Sequence, residues 1–127
     1  MKKDLFSIIL TPQEINIMKI VWEYGEATAK LVYENIYKNR QISYTTIMTM
    51  MNILEKKGAL IHSNKGRAYL YRPLLSRQQA VKNQFNYILS KYFDDEPVKM
   101  IDFLVNDMFN LSPGDFELPE AVPVLHE

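Results

Sequence analysis

The chain has 127 residues, 47% of them hydrophobic and 24% charged, and no cysteine. Its length suits one globular domain, or a small domain with an appendage, that closes a core without staples. Without cysteine, a disulfide scaffold, a thiolate metal site and a cysteine nucleophile are excluded. The net charge of zero hides a split: residues 1–91 hold 14 Lys and Arg against 6 Asp and Glu, and residues 92–127 hold one lysine against 9 acids. Such a division points to an anionic partner for the first part.

The apolar run Ile8-Ile9-Leu10 is too short for a secretory signal core. No stretch approaches the roughly 18 apolar residues of a membrane span. A cytoplasmic protein with no membrane partner is expected.

The first helix is marked by Thr11-Pro12-Gln13-Glu14, with Thr as N-cap, Pro at the first helical position and Glu completing a capping box. Leu10 and Ile15 stand at the staple positions. Ile15, Met18, Val21 and Trp22 follow at helical spacing, and Gly25 ends the helix. A second helix is expected from near Thr28 to about Lys38 with Leu31, Val32 and Ile36 inward, followed by the polar connection Asn39-Arg40-Gln41. A third starts after Ser43 and stops at Gly58, burying Ile47, Met50, Met51 and Leu54, with Lys56 and Lys57 in its last turn.

A hairpin follows. Leu60-Ile61-His62-Ser63 and Ala68-Tyr69-Leu70-Tyr71-Arg72 have strand composition, Asn64-Lys65-Gly66-Arg67 is the loop between them, and Pro73 closes the second strand. Helix four is expected from near Ser76 to about Phe93, with Val81, Phe85, Ile88, Leu89 and Tyr92 on one stripe. Asp94-Asp95-Glu96-Pro97 breaks it. Helix five, over about residues 98–109, is apolar on most sides, Ile101, Leu104, Val105 and Met108 included. A helix of this kind must be covered, and a second subunit is the natural cover. The tail from Ser112, with Pro113, Gly114, Pro119 and Pro123, is expected to be irregular.

The order of elements predicts a mainly α fold with a small β-hairpin. It is a winged helix-turn-helix over residues 1–74, then dimerisation helices over 75–111 and an acidic tail over 112–127. With Ile47, Met51 and Leu54 inward, helix three presents Tyr44, Thr45, Met48, Thr49 and Asn52, flanked by Thr46. Asn suits a bidentate contact to adenine, and Thr offers a hydroxyl and a methyl group to base edges. Lys56, Lys65, Arg67 and Arg72 form a candidate phosphate track with Lys57, and Lys30 stands in the first turn of helix two. The helix N-termini at Thr28 and Ser43 offer backbone N–H groups to phosphate. The alternative use of a winged helix is docking onto another protein, which would show no salt-dependent affinity for DNA.

An enzyme is not expected. His62 falls in a strand and His126 in the tail, and neither has a Ser or Asp partner by spacing. There is no phosphate-binding glycine loop and no clustered metal ligand set. Asp94-Asp95-Glu96 lacks the spacing of a calcium loop. No metal and no cofactor are expected.

Three blocks of the sequence resemble the penicillinase-repressor family (BlaI/MecI/CopY type). They are Leu10-Thr11-Pro12-Gln13-Glu14 with Ile17-Met18-Lys19-Ile20-Val21-Trp22, the run from Tyr44 to Gly58, and Gly66-Arg67-Ala68-Tyr69-Leu70-Tyr71-Arg72-Pro73. The resemblance covers about residues 9–110. It implies a homodimeric transcriptional repressor whose winged helices each bind half of a double-stranded dyad operator, with C-terminal helices forming the dimer. In relatives that control β-lactam resistance, a membrane sensor-protease system leads to cleavage at an Asn-Phe bond and release of the operator. The nearest match here is Asp102-Phe103. Ile53 stands where relatives often carry Arg, the Pro-rich tail replaces the usual final amphipathic helix, and copper sensing through cysteines is excluded.

Overall fold

The computed structural model describes residues 4–36 and 41–116. The chain divides between Phe85 and Asn86 into two compact units.

In the first unit each helix begins where a side-chain oxygen meets a free backbone N–H. Thr11 Oγ1 accepts from the Glu14 N–H at 3.2 Å, and Glu14 Oε1 accepts from the Thr11 N–H at 2.8 Å, which completes the capping box of α1 (Pro12–Tyr24). Thr28 Oγ1 accepts from the Leu31 N–H at 3.2 Å to start α2 (Ala29–Ile36). Ser43 does the same for α3 (Tyr44–Lys57), which ends on Gly58 in the left-handed conformation at φ 93°. The expected C-terminal part of helix two and the Asn39-Arg40 connection lie outside the described residues, as do Pro119, Pro123 and His126.

β1 (Leu60–Lys65) and β2 (Ala68–Pro73) form an antiparallel ribbon with Leu60 opposite Pro73 and Lys65 opposite Ala68. The expected four-residue loop is therefore a two-residue turn, Gly66-Arg67, because cross-strand pairing continues to Lys65. Gly66 has φ 62°, the left-handed value that the first position of a type II′ turn demands. Ala27 exchanges two backbone hydrogen bonds with Tyr71, at 2.9 and 2.8 Å, and so adds a one-residue third strand on the edge of β2. The sequence pattern had given no sign of it.

The core of this unit is Ile17, Met18, Val21, Val32, Ile47, Met51, Leu54, Leu60 and Leu75, all fully buried. On α1 the buried positions are Ile17, Met18 and Val21, while the expected Ile15 and Trp22 are only partly buried. Trp22 Nε1 donates to the Leu75 carbonyl at 2.9 Å, 53 residues away. Two buried polar groups are satisfied. Lys57 Nζ meets Glu14 Oε1 at 2.6 Å, and Asn83 Nδ2 donates to the carbonyls of Leu5 and Ile8 at 2.8 and 2.9 Å.

α4 (Arg77–Tyr92) starts at Ser76, whose Oγ accepts from the Gln79 N–H at 3.0 Å. Its end is closed by two successive left-handed residues. The Asp95 N–H reaches back to the Leu89 carbonyl at 3.0 Å, and Asp94 and Asp95 adopt φ 53° and 60°.

In the second unit α5 (Pro97–Asp102) passes into a π-helical turn over Phe103–Met108. The expected single α-helix over residues 98–109 is thus an α-helical turn followed by a wider one. The Phe93 and Phe103 rings meet at 5.7 Å, and Asn106 Nδ2 donates to Asp102 Oδ1 at 2.6 Å. Pro113–Phe116 form a 3-10 turn in the expected irregular tail. Ser112 donates its N–H and its hydroxyl to Asp115 at 2.7 and 3.0 Å, which holds the Asp115 carboxyl below its ordinary pKa. Among the described residues of this unit none is buried, and no helix of the chain there is long and apolar enough to cross a membrane.

Candidate nucleic-acid interface

α3 buries Ile47, Met51 and Leu54 completely, so helical spacing turns Tyr44, Thr45, Met48, Thr49 and Asn52 outward, and all five are exposed. An open cleft lies between this face, the start of α2 and the tip of the ribbon. It is lined by Lys30, Tyr44, Thr45, Met48, Thr49, Asn52 and Arg67 from the expected set, together with Thr28, Ala29, Ala68, Tyr69 and Tyr71. The lining holds two cations and no carboxylate. Polar and methyl-bearing side chains on a helix, with cations at both margins, match what a duplex groove and its phosphates offer.

The other expected residues stand around the cleft, outside its lining. Ser43 Oγ accepts from the Thr46 N–H at 3.1 Å and shares a hydrogen bond with the Thr46 hydroxyl at 2.8 Å, so this pair is engaged in capping α3. Lys56 is exposed on the last turn of α3, and Lys65 sits at the last cross-strand pair before the turn. Arg72 faces away from Tyr71, because adjacent strand residues point to opposite faces. Among the described residues Lys30, Lys56, Lys65, Arg67 and Arg72 enter no ion pair, which leaves them for an external anion. Lys57 is different. Its partly buried ammonium sits between Glu14 and the Ile9 carbonyl at 2.6 and 3.3 Å, so it is already engaged within the protein.

The ribbon carries an arrangement that spacing did not reveal. His62 Nδ1 lies 2.7 and 2.9 Å from the two carboxylate oxygens of Glu55 on α3. The His62 ring stacks on Tyr69 at 4.0 Å with 15° between planes. Burial first, then the Glu55 carboxylate, push the Tyr71 hydroxyl above its ordinary pKa. In the sequence, the alternation of Tyr69 and Tyr71 was the only trace of this cluster. Among the described residues no group of three or more His, Cys, Asp or Glu is placed to hold a metal ion.

The profile of the penicillinase-repressor family matches residues 10–120. The chain belongs to this family. It is 28% identical over 119 residues to the penicillinase repressor of Bacillus licheniformis, spanning 93% of this chain and 90% of that protein. It is also 32% identical over 66 residues to the transcriptional regulator BlaI of Mycobacterium tuberculosis, where it spans 48% of the relative. Among solved structures, the DNA-binding domain of the repressor BlaI superposes with a TM-score of 0.53 at 31% identity, covering 61% of this chain and 92% of that domain. Monomeric B. licheniformis BlaI in complex with the blaP half-operator gives 0.51 at 32% identity, covering 62% and 93%. The mainly helical fold with its hairpin is therefore the winged helix of these repressors, and the family is one of transcriptional repressors, not of enzymes.

Proposed function

We propose that the protein is a cytoplasmic, dimeric DNA-binding repressor that inserts α3 into the major groove of each half of a dyad operator. The observation that carries this is the cleft itself: an outward α3 face of Tyr44, Thr45, Met48, Thr49 and Asn52, with Lys30 and Arg67 at its margins and no carboxylate in its lining. Ser43, Thr46, Lys56 and Lys65 extend the same contact surface, and Arg72, on the other face of the ribbon, is left to reach a phosphate beyond it. The half-operator complex of the B. licheniformis repressor supports DNA as the ligand class.

Dimerisation rests on α4 and the helices after it, through Val81, Phe85, Ile88, Leu89, Tyr92, Ile101, Leu104, Val105 and Met108. Val81, Phe85, Tyr92, Ile101 and Met108 are between 46% and 75% exposed in the single chain. A second copy covers such a surface and links two winged helices. The linkage raises the effective concentration of the second at its half-site. On this reading residues 1–74 form the DNA-binding domain, 75–111 the dimerisation helices and 112–127 the tail. By the names of its relatives, the controlled genes are of the antibiotic-resistance kind. Release follows when a sensor-protease system cuts the Asp102-Phe103 bond. That bond lies at the passage from α-helical to π-helical turn, with both side chains exposed.

The test is binding to the DNA upstream of the protein's own gene, against random duplex, at two salt concentrations. Strong preference for the upstream DNA with a steep loss at higher salt is expected. Asn52→Ala relaxes base preference by roughly 1–3 kcal/mol, whereas Arg67→Ala weakens all sequences alike and lowers the salt slope by about 1. Absence of salt-dependent binding to either duplex overturns the reading and returns the fold to protein docking.

A further inference from the structure

The stack on the ribbon ends in a half-exposed side chain, Tyr69. Tyr69 is 51% exposed, lines the cleft beside Asn52 and Arg67, and its hydroxyl makes no hydrogen bond among the described residues. One face of its ring is nonetheless held firmly. His62 lies flat on it at 4.0 Å, and both carboxylate oxygens of Glu55 lie within 2.9 Å of His62 Nδ1. A carboxylate only accepts, so Nδ1 carries the proton that makes this bond.

The arrangement runs from Glu55 in the last turn of α3 to Tyr69 near the tip of the ribbon. A two-stranded ribbon is weakly held by itself. Here a hydrogen bond from β1 to α3 and a ring stack across the strands fix where the tyrosine points. Fixing a side chain before binding lowers the ordering cost that binding otherwise carries. A half-open tyrosine with a free donor, next to an unpaired arginine and at the edge of a cleft without carboxylates, fits the sugar-phosphate backbone. Tyrosine is among the side chains that contact phosphate oxygens.

We propose that Tyr69 is a DNA-contacting residue of the wing, its hydroxyl donating to a backbone phosphate, and that His62 and Glu55 are positioning residues that hold its ring there. This rests on the DNA-binding reading above. It adds a contact from an uncharged side chain to a surface otherwise argued from cations and the α3 face.

The experiment measures binding of the full chain to a duplex from upstream of its own gene and to a random duplex of equal length, each across a salt series, with thermal unfolding of every variant alongside. Tyr69→Phe keeps the stack and removes only the donor. It is expected to weaken both duplexes about tenfold, as for a hydrogen bond to a charged group, and to leave the salt slope at the parent value, because no cation is lost. His62→Ala and Glu55→Ala are expected to weaken binding in the parent chain and to add little when Tyr69 is already Phe. Glu55→Gln, which keeps an acceptor for Nδ1, is expected to restore most of the affinity lost in Glu55→Ala. Tyr69→Phe binding as tightly as the parent overturns the proposal. So does an equal loss from His62→Ala in both backgrounds, which marks a purely structural role. If the parent itself binds neither duplex in a salt-dependent way, the DNA reading fails first and the Tyr69 contact falls with it.

Discussion

Up to Phe85 the chain closes a buried apolar core, and from Asn86 onward none of its described residues is buried. Ile17, Met18, Ile47, Met51 and Leu54 have no exposed surface, whereas Val98, Tyr92, Met108, Phe109 and Ile101 are 77, 75, 59, 57 and 56% exposed. Both segments are helical and comparably apolar in pattern, so composition does not separate them. Connectivity does. In the first unit three helices and a ribbon are joined by short turns and surround one core. In the second, α5 and the π-helical turn have too few neighbours in their own unit to be covered. The first kind of segment closes its own core. The second kind leaves apolar surface of the sort found at association sites, and the dimer proposed above would cover it.

The contrast can be broken most forcefully in the core. Leu54→Ala removes a wholly buried side chain and is expected to lower the stability of the first unit by about 2–5 kcal/mol in denaturant unfolding. Met108→Ala, at 59% exposure, is expected to change the same unfolding by less than about 0.5 kcal/mol. Comparable losses at the two positions would erase the distinction between the units.

Next in size is the ion pair under α1. Lys57→Met leaves the buried Glu14 carboxylate with only the Thr11 N–H and is expected to cost about 1–3 kcal/mol in the same assay. Loss of DNA affinity without loss of stability would instead place Lys57 back among the phosphate-binding cations.

The partner surface is sharpened by charge. Ile101→Glu is expected to raise the dimer dissociation constant at least tenfold, about 1.4 kcal/mol, in sedimentation equilibrium. An unchanged constant would move the dimer contact elsewhere. The smallest effect is local. Asp94 holds φ 53° at the end of α4, a conformation that glycine adopts freely. Asp94→Gly is therefore expected to raise stability slightly, by up to about 1 kcal/mol, read as a small upward shift of the thermal midpoint.

Most of the fold was legible because its signals are local. Thr11-Pro12-Gln13-Glu14, Ser43 and Gly58 each mark a helix end through backbone chemistry that needs no tertiary context. The outward face of α3 followed from the burial of Ile47, Met51 and Leu54. What escaped depends on meetings across the fold. The bridge of Ala27 to Tyr71 joins positions 44 apart in the chain, and no periodicity announces a one-residue strand. Lys57 read as a surface cation because its partner, Glu14, looked fully used by the capping box. It is in fact shared between the two. The His62–Glu55 contact links a strand to the helix before it around the turn at Gly58, where neither period applies. The π-helical turn after Asp102 is likewise invisible to a pattern read at 3.6 residues per turn.

The division of labour is tested most directly by counting chains on DNA. Sedimentation of the full chain, free and on the duplex from upstream of its gene, gives the number directly. A dimer in free solution and two chains on each duplex is the predicted result. A monomer in free solution that binds that duplex singly and just as tightly would contradict it, because the exposed apolar surface of the second unit would then have no role in operator binding.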